Sequence, residues 1–257
     1  MSNLYTPSGN QVGNHVNGGR FSARNSMDQL ERNDVLAGVS APERERLREM
    51  LTPCSLPVGR TLYESGDILE RVYFPISGLV SLVLVSEEGT QVEAGVVGRE
   101  GVVGGSAVLA NAAPLSRAMV QIDGRGFWMS APNFRDEFRR GGALQGLMLR
   151  YGQVMIAQTS QAALCNRIHT VEERLSRWLL TIRDRISSDE LNITQEFIAH
   201  MLGTRRSGVT VAAGVLRQSG FIQYTRGHIT IIDDKGLEGC ACECYHILRR
   251  EFDALKK

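Results

Sequence analysis

No stretch of this chain comes near the run of about 18 consecutive apolar residues that a membrane-spanning helix requires. Its first 26 residues, rich in Asn, Gly and Ser, lack the hydrophobic core of a secretion signal. Both absences lead us to expect a protein that stays in the cytoplasm. Cysteine is scarce. Cys54, Cys165, Cys240, Cys242 and Cys244 are an odd set without the spacing of a secreted disulfide framework, so reduced thiols are expected. Clustered metal or catalytic ligands are missing as well: His15, His169, His200, His228 and His246 are scattered, and none falls in the β-rich part of the chain. A metalloenzyme built on a β-roll would need such ligands on its strands. With no nucleophile elbow, phosphate loop or convincing pair of acids either, no enzyme is expected.

Charge of one sign is absent from one segment. Over the whole chain 29 basic and 28 acidic residues nearly cancel to +1. From Phe197 to Ile232, however, there is no Asp or Glu, while Arg205, Arg206, Arg217 and Arg226 give a local charge of +4. A polyanion can be met there.

The 257 residues, 42% of them apolar, suffice for two modest domains. Residues 1–30 bury too little to offset their ordering entropy and are expected to form a disordered tail. Ser40 and Glu43 form a Ser-x-x-Glu capping box with Pro42 in the first turn, which predicts a helix to about Leu51. From Thr61 to about Ser130, β-rich runs at Arg71–Pro75, Leu79–Val85, Gln91–Val97 and Ala118–Ile122 alternate with turn signals. A compact antiparallel roll follows, so the fold class is α+β. The expected units are a sensor domain over 31–140, a dimerisation helix over 141–168, a DNA-binding domain over 169–245 and a tail over 246–257.

Leu144 to Ile186 contains no proline. Leu147, Tyr151, Val154, Gln158, Gln161, Cys165 and Ile168 recur there at steps of four and three. That heptad seam predicts a coiled-coil contact between two subunits; an ordinary core helix packed on its own β-domain would give the same pattern.

The sharpest local signal begins at Thr194. Thr194 is a good N-cap, Ile198 and Leu202 form an apolar stripe, Ala199 is small where two helices would cross, and Gly203 suits a tight turn. Val209, Ala212 and Leu216 then supply the buried stripe of a second helix. Its first turn, with Thr204 before it, presents Arg205, Arg206, Ser207 and Thr210 to a major groove. Arg206 is the choice for a bidentate contact to guanine. Past Gly220, Phe221 to Ile232 alternates and turns at Arg226-Gly227 as a hairpin wing, and Arg226 at its tip suits phosphate; Arg217 is a further DNA-binding candidate. A structural helical hairpin is the competing reading; it would require neither the acid-free stretch nor the wing.

These residues resemble the Crp/Fnr family of transcription regulators over roughly Leu36 to Tyr245. Val72–Gly78 is similar to the opening of that family's β-roll, and Val171–Leu179 to the segment joining its long helix to the DNA domain. The resemblance implies a cyclic-nucleotide-binding-type roll, a long dimer helix and a C-terminal winged helix-turn-helix. It further implies a homodimer on a palindromic double-stranded DNA operator, touching RNA polymerase.

The sensor half departs from the cyclic-AMP-binding relatives. Their Gly-Glu-Leu turn is replaced by Gly104-Gly105-Ser106, without a carboxylate, and their Arg-Ser-Ala run by Ser116-Arg117-Ala118. Thr159 and Ser160 match helix positions that contact adenine in those relatives. Cyclic AMP is therefore not expected in a pocket of these residues; Arg117 could meet another anion, and a different effector is left open. An iron–sulfur centre needs an N-terminal cysteine cluster, whereas only Cys54 precedes Cys165. Cys240 and Cys244 would share a helix face, but three cysteines at alternate positions match no usual zinc spacing, so idle thiols and no metal are expected. His169 is expected to be structural or solvated. The alternative function is a ligand-responsive roll that controls a protein partner.

Overall fold

A computed structural model describes residues 26–225 and 227–255, without the side chains of Ser26 and Met27. Helices α1 (Ser26–Leu30), α2 (Asp34–Gly38) and α3 (Ala41–Met50) come first. Helix α1 falls within the tail expected over 1–30, whose first 25 residues lie outside the described ones. Leu30, Leu36 and Leu47 anchor these helices, since each is buried against the β-domain. Ser40 and Glu43 form the expected capping box at the start of α3.

Seven strands build the roll: β1 (Thr52–Leu56), β2 (Thr61–Tyr63), β3 (Arg71–Pro75), β4 (Leu79–Val85), β5 (Gln91–Val97), then, after helix α4 (Gly105–Ala110), β6 (Arg117–Ile122) and β7 (Gly124–Ser130). They pair antiparallel in two sheets, ordered β1-β7-β3 and β2-β6-β4-β5. Tyr63, Tyr73, Val80, Val97, Val103 and Val120 fill the space between the sheets. Gly78 is required where the chain turns: its φ is +79°, and a Cβ would stand 2.6 Å from the Ile122 carbonyl oxygen.

In the pairing of β4 with β5, Leu82 opposes Gly95 but Val83 opposes Glu93, so a bulge gives β5 one extra residue. Glu93 and Val96, an odd number of positions apart, consequently both face the C-terminal half of the chain. Val96 packs there with Leu79 and Val83.

Helix α5 (Ala131–Arg139) leads to α6 (Ala143–Ile168), whose 26 residues span about 39 Å at 1.5 Å each. The structure corrects the expected seam. Leu147, Tyr151, Val154, Gln158 and Cys165 are all buried within this single chain, leaving only Gln161 and Ile168 of the seven on the accessible side. The apolar period is real, but that stripe covers the helix's own roll. A second stripe points outward: Leu149 is 63% and Ile156 62% exposed, with Ala163 and Leu164 exposed beyond them.

After α7 (Val171–Ile186), capped by Thr170 and Glu173, come β8 (Glu190–Asn192), α8 (Gln195–Met201), α9 (Arg206–Gln218), β9 (Ile222–Thr225), β10 (His228–Ile231), α10 (Asp234–Cys240) and α11 (Cys244–Ala254). The tail expected over 246–257 is instead mostly α11. Its Tyr245 and Leu248 are buried, and it packs on α6 and α7. The two halves of the molecule share one core, because Leu79, Val83 and Val96 of the roll pack with Leu175, Trp178 and Leu179 of α7. Two polar links cross the same boundary: Trp178 Nε1–H donates to Glu93 Oε1 at 2.9 Å, and Arg185 pairs with buried Glu100 at 2.7 Å.

Candidate nucleic-acid interface

The local sequence explains why α8 and α9 meet at a tight corner. Thr194 Oγ1 accepts the Phe197 N–H at 3.2 Å and starts α8. Ile198 and Ala199 are buried on its inner face. Gly203 then adopts φ +57°, a conformation that a side chain disfavours, and the chain turns into α9. The guanidinium of Arg174, from α7, donates to the Leu202 carbonyl and braces this turn. Val209, Ala212, Ala213 and Leu216 bury the inner face of α9.

What α9 leaves outside is the candidate reading surface. Arg205, Arg206, Ser207 and Thr210 are exposed at its N-terminal end, and Val211, 62% exposed, lies beside them. Arg205 is the N-cap and offers no side-chain acceptor, so the first-turn N–H groups add positive potential at this end. Arg217 is also exposed, and 11 residues after Arg206 bring it back to nearly the same side of α9, about 16 Å along the axis. Thr210 Oγ1 donates to Gln195 Oε1 at 2.8 Å, while Arg206 stands 3.7 Å from Glu196. Both are surface contacts of α8 that DNA would have to exchange for its own groups, at small cost in water. Thr204 is half-buried, and Thr194 is exposed with its oxygen engaged in the cap. The strands β8, β10 and β9 form the wing sheet in that order, but Arg226, expected at its tip, lies outside the described residues.

A winged helix-turn-helix stands here beside a β-roll, and comparison with known proteins agrees with both. A Crp-like helix-turn-helix domain matches residues 173–240, and a cyclic nucleotide-binding domain matches residues 53–140. The chain belongs to the Crp/Fnr family of transcription regulators. This Crp/Fnr protein is 24% identical over 220 residues to the CRP-like cAMP-activated global transcriptional regulator of Mycobacterium tuberculosis, a match covering 82% of the chain and 98% of that relative. Among solved structures it resembles FixK2 from Bradyrhizobium japonicum, with a TM-score of 0.65, 15% identity and coverage of 75% and 98%. A Crp/Fnr-family protein from Eubacterium rectale gives a TM-score of 0.63 at 17% identity, covering 80% and 96%. The Crp/Fnr regulator is thus a DNA-binding protein, and α9 is the second helix of its helix-turn-helix.

The β-roll half of the Crp/Fnr fold contains an open cavity of about 1020 Å³. Gly104, Gly105, Ser106, Ser116, Thr159 and Ser160 line it as expected, but Arg117 does not. Its guanidinium turns to Glu64 at 2.7 Å, so the reversed order of Ser116 and Arg117 sends the charge away from the cavity. The rest of the lining is largely apolar, with Leu82, Met148 and Ile156 among it, and no charged side chain contributes.

The cysteines are arranged differently from the expectation that Cys240 and Cys244 share a face. Cys240 packs against the hydrophobic core of the C-terminal half. Cys165, Cys242 and Cys244 instead form a buried group of their own, beside His169. The one local signal that pointed to it was Cys165-x-x-x-His169, one helical turn apart.

Proposed function

We propose that this Crp/Fnr regulator acts in the cytoplasm as a symmetric homodimer that reads a palindromic operator with two α9 helices and touches RNA polymerase from that site. The observation that carries the reading is the outer face of α9, where Arg206, Ser207 and Thr210 stand exposed in a segment free of acids. In a major groove Arg206 can take guanine bidentately, Val211 can meet a thymine methyl, and Arg205 and Arg217 can hold phosphates. Dimerisation is assigned to the outward stripe of α6, with Leu149, Ile156 and Ala163 at heptad spacing. Half-sites about 34 Å apart would suit the pair. Among the described residues no helix is long and apolar enough to cross a membrane, which agrees with a soluble dimer.

The roll is assigned a signal other than cyclic AMP, and no iron–sulfur centre. An uncharged cavity does not offset the charge of a cyclic phosphate, and Arg117 is already engaged by Glu64. Leu149, Gly152 and Ile156 belong both to the cavity wall and to the outward stripe of α6, so occupancy of the cavity would bear directly on the dimer contact.

The test is binding of the purified protein to genomic fragments, including its own promoter, across a salt series, with Arg206→Ala alongside. With about six phosphates neutralised per dimer, log affinity should fall against log salt with a slope of about −5. Arg206→Ala should lose about 1–3 kcal/mol of sequence preference. Binding that is neither specific nor salt-dependent would refute operator reading and favour a roll that controls a protein partner.

A further inference from the structure

Four potential metal donors converge where the long helix meets the DNA-binding half. Cys165 lies in the last turn of α6 and His169 is its C-cap; Cys242 lies between α10 and α11, and Cys244 opens α11. Their ligand atoms all fall within 4.8 Å of one another. Cys165 Sγ and Cys242 Sγ are 3.6 Å apart, and Cys244 Sγ is 3.7 Å from His169 Nδ1. Sulfurs bound at about 2.3 Å to one tetrahedral ion would be about 3.8 Å apart. We propose that Cys165, His169, Cys242 and Cys244 form a closed Cys₃His site for a single zinc(II) ion, which staples the C-terminal helix pair to the joint between α6 and α7.

The surroundings support a metal rather than three idle thiols. His169 aims Nδ1 into the cluster while Nε2 lies 3.2 Å from the Glu243 carboxylate. With the proton on Nε2, donated to Glu243, the Nδ1 lone pair is left for the ion. A carboxylate behind the ring is the usual second partner of a metal-bound histidine. The three cysteines are buried, at 0%, 3% and 0% exposure, and remain unbridged. The guanidinium of Arg177 lies beside Cys165. Three thiolates around a dication leave one negative charge, which Arg177 is placed to offset. The compactness also favours one ion over an iron–sulfur cluster, whose ligands must span several irons bridged by sulfide. On binding, each thiol releases its proton, so formation of the site involves no oxidant.

The test uses the full chain, purified under reductant and reconstituted with zinc(II) alone. Elemental analysis should find about one zinc per chain, and cobalt(II) should give the intense visible absorption of a tetrahedral thiolate site. Cys242→Ser should lose the ion, whereas Cys240→Ser, outside the cluster, should keep it. Glu243→Ala touches only an exposed carboxylate and should fold normally, yet weaken zinc about 10–100-fold in chelator competition. The proposal is overturned by less than about a tenth of an ion per chain after reconstitution, by loss of the ion in Cys240→Ser, or by unchanged affinity in Glu243→Ala. A Cys165–Cys242 disulfide in place of metal, found by mass spectrometry, would equally overturn it.

Discussion

Replacing Glu93 by glutamine should stabilise the protein, and only on the alkaline side. Burial of the carboxyl is the main influence on Glu93 and raises its pKa from 4.5 to about 7, against hydrogen bonds from Ser81 and Trp178 and the charges of Arg177 and Arg185. Below pH 4.5 the folded and unfolded chains both hold the proton, and burial of the acid costs nothing extra. Between 4.5 and about 7 the folded chain binds a proton that the unfolded chain has released, so stability falls as pH rises. Above about 7 both are ionised and the full penalty is present. At about 1.4 kcal/mol per pH unit, that window corresponds to up to about 3 kcal/mol.

Glutamine can keep the local bonds of the protonated acid. Its oxygen accepts from Trp178 Nε1–H and its amide donates to Ser81 Oγ, which in turn donates to Gln121 Oε1 at 2.5 Å. Glu93→Gln should therefore match the parent near pH 4.5 and exceed it at about pH 8. At about 2–4 °C per kcal/mol for a chain of this size, the melting point should rise by roughly 5–10 °C there. Thermal melts of both proteins across the pH range decide the matter. A difference that does not change with pH, or a glutamine variant less stable at about pH 8, would refute the reasoning.

Three further outcomes are expected. Ile156→Asp places a charge twice in the outward stripe of α6 and should weaken the proposed dimer by about 3 kcal/mol or more, seen by sedimentation as a monomer; an unchanged mass would remove α6 from the proposed interface. Glu100→Ala leaves the buried guanidinium of Arg185 without its carboxylate partner, though Gln158 Oε1 at 2.9 Å still accepts from it, and should cost about 3–5 kcal/mol of stability in urea unfolding; a loss under about 1 kcal/mol would mean that Gln158 or water satisfies the arginine. Gly203→Ala must adopt φ +57° and bring a Cβ to 3.2 Å from Val92 Cγ2. About 1–2 kcal/mol of stability should be lost, together with operator affinity, as α9 shifts; retained affinity would show that the corner tolerates a side chain.

Much of the fold was legible because it is encoded locally. The runs at Arg71–Pro75, Leu79–Val85 and Gln91–Val97 are strands with those very ends, since turn residues bound each of them. The helix-turn-helix was readable for the same reason, as cap, corner glycine and both apolar stripes fall within some twenty consecutive positions. The phase of α6 was not. With Leu147, Met148, Leu149, Tyr151, Val154 and Ile156 on several sides of one helix, periodicity reveals two stripes but not which one meets the roll. The thiol cluster was hidden by chain closure, because Cys165 and Cys242 are 77 positions apart and only the α11 packing brings them together. The capping box at Thr170 and Glu173 is as plain in the sequence as that at Ser40 and Glu43.

The common core of roll and helix-turn-helix has a practical side. A fragment cut after Ile168 would leave Leu175, Trp178 and Leu179 facing solvent on one piece and Leu79, Val83 and Val96 on the other. Neither piece should remain soluble, and the intact chain should melt in one transition. A compound that fills the cavity of the roll would then raise the melting point of α9 along with everything else. Screening for a compound that occupies this cavity accordingly needs no promoter at all, only a thermometer and a library.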